Sequence, residues 1–488
     1  MTGLVKAFLR LSVREDCFID HLWRPPASFV SLCRFWNASM KNSGLKILFL
    51  NPPSTQQVFR DCYCSDISKG PFFIHPLDLQ VQSGWFAKAG YEIEFIDAVI
   101  EHADAEEIIR RILLVKADVV LSLMGEAVYE NDCRFLNELA IQNPNQRLFL
   151  TGDIARFEPQ KVFDSIPRAE GILMDFTSAG LLQYLEGSTH EHLITRESNG
   201  SAVLKKGSYS HPVASEKFVG TYTYRLPFFR DPRYYSLLSS YGCPFRCAYC
   251  NVHQVGYGVR ETDSVLEEMR LATRLRFKSL YWRDPTFMVD KKRTYDLFDA
   301  WRAEGFSFEW IAYTRPDVVD EDIIRRAAEM GCGTLLFGVE TWDEKSLQQA
   351  SREMQSEKVR SAFELARKYG VRTASFILVG MTEQIKDESL KFSEMTHYEK
   401  RLSAFLDSLD PDYISLNVFH ERPGVKANTP ILLAMESQRE ALRVLASRIN
   451  RRFYLHPKRI ARNLVRLLYP KQWGLLLKIV YRLILPAR

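Results

Sequence analysis

The chain is poor in cysteine and has no long uncharged apolar run. Nine cysteines in 488 residues are too sparse for a disulfide framework, and an odd number leaves one over. Reduced thiols and a cytoplasmic location are therefore expected. No apolar stretch approaches the ~20 residues of a spanning helix. Met1–Arg10 also lacks the apolar core and small-residue cleavage site of a secretory signal. Acidic residues are missing from one place: residues 451–488 hold ten Lys or Arg and no Asp or Glu. The whole chain has 65 Lys+Arg against 60 Asp+Glu, so the part before the tail carries 55 − 60 = −5. A mildly acidic body with a basic tail excludes a general nucleic-acid coat. Hydrophobic content of 46% excludes a disordered chain.

What is present divides into blocks. Residues 1–43 read as an N-terminal extension, or as sequence ahead of a start at Met40. Over 44–187, short apolar strands alternate with helices: Lys46–Leu50, Glu92–Ile96, Asp118–Met124, Arg147–Leu150 and Gly171–Met174, with helices at Leu77–Ala89, Ala105–Val115 and Asp132–Ile141. That alternation predicts an α/β domain with a doubly wound parallel sheet, whose ligands sit beyond the carboxyl ends of the strands. Residues 188–225 read as a linker. Six further strands follow: Tyr235–Ser239, Ser279–Trp282, Phe308–Tyr313, Thr334–Phe337, Ala374–Val379 and Tyr413–Val418. They predict a partial (β/α)6 barrel with its chemistry at the C-terminal rim. Residues 426–488 read as a helical region ending in a basic tail.

Directly after the first barrel strand stands Cys243-Pro-Phe-Arg-Cys247-Ala-Tyr-Cys250. Three thiols spaced C-x3-C-x2-C on one tight loop can converge on one metal centre. Two readings follow: a zinc site with His253 as fourth ligand, or a cubane held by three cysteines with one iron left open. The Pro, Arg and Asn around them do not fit buried free cysteines.

This segment resembles the radical S-adenosylmethionine (radical SAM) superfamily, with Tyr249 as the aromatic residue before the last cysteine. The resemblance extends over about 226–425 through Tyr281-Trp-Arg-Asp284, Tyr313-Thr-Arg315-Pro-Asp317 and Gly338-Val-Glu340-Thr341. It implies that Cys243, Cys247 and Cys250 hold a [4Fe–4S] cluster. Tyr249, Asp284, Arg315 and Glu340 would bind SAM, which is cleaved to methionine and a 5′-deoxyadenosyl radical. A reducing partner such as flavodoxin or ferredoxin is implied with it. The segments Gly380-Met381-Thr382 and Pro423-Gly424-Val425 depart from the family where substrate loops lie.

A doubly wound domain ahead of such a barrel is similar to the cobalamin-binding class of radical SAM enzymes, which includes C-methyltransferases and the anaerobic chlorophyll-ring cyclase. The segment from His75-Pro-Leu-Asp-Leu to Asp97 resembles that class, whereas the Asp-x-His-x-x-Gly motif for a histidine ligand is absent. Ser122, Gly125, Thr151 and Gly152 are the expected cobalamin contacts, because small residues at strand ends admit a bulky ligand. Cys62, Cys64 and His75 are less specific candidates for facing cobalt. The implied activity is methylation of an unactivated carbon. A radical cyclase, oxidoreductase or C–C coupling enzyme is the alternative within enzymes, and a zinc-bearing membrane-anchored binding protein the alternative outside them. In the tail, Arg459, Arg462 and Arg466 share one helical face, and Lys478 and Arg482 lie one turn apart among Leu and Ile. That composition is expected to lie on an anionic membrane surface and would favour a lipid-like small-molecule substrate; docking on the barrel is the rival.

Overall fold

The computed structural model describes residues 44–68, 70, 72–197, 205–382, 392–464 and 473. They belong to one compact unit that begins at Gly44. The N-terminal extension lies outside the described residues. Six strands open the fold: β1 (Lys46–Asn51), β2 (Glu92–Asp97), β3 (Val119–Leu123), β4 (Arg147–Thr151), β5 (Ala169–Leu173) and β6 (Leu193–Thr195). Their order is β2-β1-β3-β4-β5-β6, parallel except for the antiparallel edge strand β6. Both faces are covered, and β1 shows how. Ile47 and Phe49 pack into one core with helix α1 (Leu77–Lys88). Leu48 and Leu50 pack into another with Ile108 and Ile112 of α2 (Ala105–Val115) and Leu136 of α3 (Tyr129–Gln142). A strand buried on both faces reads as a continuous apolar run rather than an alternation, which is why Lys46–Leu50 was visible in the sequence.

The stretch 188–225 is not a linker. It supplies β6, β7 (Lys205–Tyr209) and the helix Glu216–Thr221, whose Phe218 stacks on Phe95 at 3.9 Å between centroids. These elements are too short to show a period, and each is stabilised by a distant partner. After β8 (Tyr235–Leu237) the chain turns into β9 (Ser240–Gly242), which pairs antiparallel with β10 (Gly256–Arg260), and β10 pairs in parallel with β7. Then β11 (Ser279–Trp282), β12 (Glu309–Thr314), β13 (Cys332–Glu340), β14 (Arg372–Val379) and β15 (Tyr413–Val418) join β8 in one six-stranded parallel sheet, in chain order. Helices α4 (Thr262–Arg274), α5 (Lys291–Ala303), α6 (Glu321–Glu329), α7 (Ser356–Lys368) and α8 (Phe392–Leu409) precede these five strands in turn.

Helix α1 is buried on almost every side, because it lies between the two sheets. Gln80 donates from Nε2 to the Ser236 carbonyl of β8 at 2.8 Å. One apolar core runs from Phe49 to Leu237 and Trp282, so the first sheet and the barrel are a single packed body.

The loop between β1 and α1 folds back over the strand ends. Arg60 reaches Asp132 at 2.7 Å, both side chains fully buried, and donates to Asn51 Oδ1 at 2.8 Å. Ser65 donates to Asp153 from its amide at 2.6 Å and its hydroxyl at 2.8 Å. The strand-end crevice is thereby filled by the protein itself. A Cβ on Gly125 would lie 2.7 Å from Ser65 Cβ, and one on Gly152 (φ +117°) would lie 2.1 Å from the Met124 carbonyl oxygen.

The C-terminal region folds as α9 (Pro430–Ser437), α10 (Arg439–Tyr454) and α11 (Pro457–Leu464). Arg459 is 4% exposed; it pairs with Asp407 at 3.1 Å and covers the Phe453 ring at 3.9 Å. Arg462 pairs with Asp410 at 2.8 Å and Asp412 at 3.4 Å. These two arginines, expected to face lipid headgroups, are held by the barrel's own carboxylates. Docking on the protein is what the described part of the tail does. Arg466, Lys478 and Arg482 lie outside the described residues. Among the described residues no helix is long and apolar enough to cross a membrane.

The Arg60–Asp132 pair gives a stability prediction. Removing one partner of a buried pair strands the other charge. Arg60→Met is expected to cost about 3–5 kcal/mol in urea unfolding. The double variant Arg60→Met/Asp132→Leu should recover at least half of that loss.

Candidate functional site at the barrel rim

The cysteine loop is the stretch between β9 and β10, and its base is pinned by their pairing of Gly242 with Tyr257. Ala248 donates its amide to the Ala350 carbonyl at 2.9 Å, and Gln254 donates to the Gly424 carbonyl at 2.7 Å. The Gly242 amide donates to the Tyr63 hydroxyl at 3.0 Å, tying the loop to the first domain. Held this way, Cys243, Cys247 and Cys250 all face a cavity of about 780 Å³ at the C-terminal ends of the barrel strands.

Around the thiols stand donors. Thr286 Oγ1 is 3.5 Å from Cys243 Sγ. Arg315 and Arg352 reach Cys247 Sγ from Nη1 at 3.8 and 3.9 Å. Arg315 is fixed by a bidentate pair to Asp317 (2.9 and 2.6 Å) and lies over the Phe245 ring at 3.8 Å. Arg352 donates to the Tyr249 hydroxyl at 3.1 Å and to the Gly338 carbonyl, and faces Glu340 at 3.8 Å. Glu340 sits at the irregularity between β13 and β14 with φ +67°. A non-glycine residue held there costs on the order of 1–3 kcal/mol and marks a position set by its surroundings. Burial pushes the Glu340 carboxyl up, and Arg352 and Arg315 oppose that shift. Burial also raises Cys243, and it pushes Cys250 up to about 11. Thiolates in this loop therefore need a positive centre beside them.

These residues fit an iron–sulfur cubane. Three thiols on one loop line one cavity, with Arg315 and Arg352 beside Cys247, and they would leave a fourth iron without a protein ligand. A tetrahedral zinc draws its sulfurs to about 3.8 Å of one another, whereas a cubane spreads them because each cysteine binds a different iron. His253 does not line the cavity.

The structure brings together Cys243, Cys247, Cys250, Tyr249, Arg315 and Glu340. Asp284 is not among them. Its carboxylate is buried and accepts the Ser239 amide at 2.7 Å and the Ser239 and Ser240 hydroxyls at 2.6 Å each. Asp284 therefore supports the turn below the loop and does not offer an open contact to SAM. Ser122 and Thr151 are also buried, donating to the Leu123 and Leu173 carbonyls at 3.1 Å. With Gly125 and Gly152 covered, none of the four expected cobalamin contacts lines the cavity. The first domain contributes Asp66, Ile67 and Ala127 instead. Arg352 and Arg422, both on the cavity wall, were missed by sequence reasoning. Arg352 lies in a connection after β13, and no local pattern marks it.

Cys62 is buried and Cys64 half-buried; neither lines the cavity. His75 does not line it either. Its ring stacks on Tyr234 at 4.8 Å and meets Tyr224 edge-on at 4.1 Å. Burial lowers its pKa to about 3. Below the ordinary value of about 6.5 the unfolded chain takes up a proton that the folded chain refuses, so stability falls as pH drops from 6.5 towards 3. At pH 5 this one group should cost about 2 kcal/mol relative to pH 7. His75→Phe should remove that share of the loss, read as the difference in urea midpoints at the two pH values.

Comparisons with known proteins agree with this geometry. Residues 237–392 match the radical SAM superfamily. An uncharacterized methyltransferase, PH0819, from Pyrococcus horikoshii is 23% identical over 408 residues, covering 78% of this chain and 82% of that protein. The fold is similar to that of the radical SAM methyltransferase TsrM from Kitasatospora setae, solved with tryptophan substrate and a SAM analogue (TM-score 0.60, 16% identity, 80% of this chain and 75% of TsrM). It is also similar to that of OxsB, a cobalamin-dependent SAM radical enzyme solved with aqua-cobalamin and SAM (TM-score 0.58, 15% identity, 84% of this chain and 56% of OxsB). The three-cysteine loop lies inside the matched segment, and the chain is therefore an enzyme with a radical SAM domain.

Proposed function

We propose that this enzyme is a cobalamin-dependent methyltransferase acting on an unactivated carbon of a small molecule. The observation that carries the reading is the cavity itself. It brings the three thiols, the Arg352–Glu340 pair and the Asp66–Ile67–Ala127 edge of the first domain around one space. When bound, a [4Fe–4S] cluster supplies the electron that opens SAM to methionine and a 5′-deoxyadenosyl radical, and a cobalamin supplies a methyl carrier.

The chain's own residues do the rest. Cys243, Cys247 and Cys250 would hold the cluster. Arg315 and Arg352 orient Cys247 and lower the electron density on its sulfur. Glu340, set by its backbone and by Arg352, presents an acceptor for hydroxyl or ammonium groups of SAM. Tyr249, fixed through its hydroxyl by Arg352, closes the loop side of the cavity. A cobalamin would rest on the Asp66, Ile67 and Ala127 edge, because the loop carrying Arg60 and Ser65 fills the strand-end crevice. The edge itself carries no histidine, while His420 after β15 lines the same cavity and lies in the field of Asp66. The names of the methyltransferase relative and of TsrM and OxsB support the same reading.

Two measurements test it. Cys243→Ala, Cys247→Ala or Cys250→Ala should each abolish 5′-deoxyadenosine formation, while Cys133→Ala, outside the cavity, should retain it. Incubation of the reconstituted enzyme with deuterated methyl-SAM and a cell extract should give a product heavier by three mass units per methyl group added. A product that instead loses hydrogen or closes a ring, with 5′-deoxyadenosine formed, would assign the radical cyclase or oxidoreductase reading.

A further inference from the structure

The cavity continues outward from the cysteine loop. Its floor there is apolar, formed by Phe376, Leu378 and Leu416 on β14 and β15. Its outer wall is one face of α10, carrying Arg439, Arg443, Asn450 and Arg451. At 3.6 residues per turn Arg439, Arg443 and Asn450 fall within about 40° of one another, and Arg451 lies about 80° round from Arg443 at the edge of that face. The opposite face contributes Leu442, Leu445, Ile449 and Phe453 to the core, so α10 cannot rotate that row of cations away.

The charges on this wall are poorly compensated. Among the described residues Arg439 and Arg443 pair with Glu436 and Glu440 of the preceding turn, in partly exposed (i, i+3) arrangements that salt screens. Arg451 has no ion pair with any described residue, whereas Arg422 lies in the field of Asp66 and Asp153 without a close pair. The carboxylates lining the cavity are Asp66 and Glu340, and Glu340 faces Arg352. Asn450 has a buried side-chain oxygen with no partner, and a rotated amide would present two donors there instead. The space thus has cations at its outer end, an apolar floor and three thiols at its inner end.

We propose that this row binds the anionic head, a phosphate or a carboxylate, of an amphiphilic substrate. The apolar body would lie along β14 and β15 and its reacting carbon would point to the cysteine loop. The proposal rests on the radical SAM reading only in taking the thiol end as the place of reaction. Arginine forks suit both heads, since each offers paired oxygens.

Isothermal titration of the anaerobically reconstituted full chain with octyl phosphate, octanoate, octanol and inorganic phosphate tests it. One of the two charged amphiphiles should bind at least tenfold more tightly than octanol and than inorganic phosphate, and the tighter one identifies the head. Arg443→Gln/Arg451→Gln should weaken that binding about tenfold. Arg443→Lys/Arg451→Lys should restore part of it. Arg452→Gln, an exposed neighbour off the cavity, should leave it unchanged. Equal affinity for octanol, an equal loss in Arg452→Gln, or no loss in the double glutamine variant would overturn the proposal. So would a double variant that loses cobalamin or SAM affinity in parallel, because the arginines would then serve a cofactor. SAM cleavage assayed on the same samples separates the two readings. Tight octyl phosphate or octanoate binding without 5′-deoxyadenosine keeps the anion site and removes the radical chemistry, and the converse result does the opposite.

Discussion

A buried carboxylate fixes the turn from which the three-thiol loop departs. Asp284, at the end of β11, cannot stay anionic in the interior unless its oxygens are saturated by donors. Ser239 and Ser240 saturate them with one amide and two hydroxyls. Those residues form the turn where β8 passes into β9, so satisfying the carboxylate fixes the direction in which the chain leaves the barrel. Arg293 holds the other side of the same turn, donating to the Ser239 and Arg260 carbonyls. Burial raises the Asp284 carboxyl, and the Ser239 and Ser240 donors oppose that shift. The turn beneath the cysteine loop is thus fixed by this group, and contacts to Ala350, Gly424 and Tyr63 carry the loop on from there.

Above that turn, the cavity is bounded by elements that belong to different parts of the chain yet share one core. Helix α1 locks the first sheet to β8 through buried side chains on nearly all its faces. The Arg283–Asp61 pair, at 2.7 Å and almost fully buried, ties the barrel to the loop after β1. Freedom for hinge motion between sheet and barrel is small when a continuous apolar core crosses the boundary. The relation between the cysteine loop and the Asp66–Ala127 edge is therefore set by folding, before any ligand arrives.

The sequence revealed those parts whose stabilisation is local or periodic. Apolar runs such as Lys46–Leu50 and Ser279–Trp282 are buried on both faces, so their hydrophobicity alone located them to within a residue or two. The thiol spacing on one loop needs no tertiary information either. What stayed hidden depends on distant partners. β7 is a strand because β10 lies beside it. Asp284 looked like an open ligand because nothing in its own segment reveals Ser239. Gly125 and Gly152 looked open because their smallness was read as room for a cofactor, whereas Ser65 and the Met124 carbonyl use that room. The arginines of α10 carried a readable signal: Arg439 and Arg443 are one turn apart, opposite Leu442 and Leu445.

The placement of the arginines follows one electrostatic logic. Close to the thiols, Arg315 has Asp317 and Arg352 has Glu340, while Arg422, whose charge also acts on Cys250, feels Asp66 and Asp153. Paired charges there orient sulfur and acceptor groups without adding a large net field, which in a low-dielectric pocket would otherwise attract any anion to the metal-binding end. Below α11, Arg459 and Arg462 are likewise consumed by Asp407, Asp410 and Asp412, so part of the basic tail is structural. The under-compensated cations are left on the cavity's outer wall. A gradient of this kind admits an anion by its head and stops it short of the thiols, leaving the apolar floor to bring the remainder of the molecule to the reacting end.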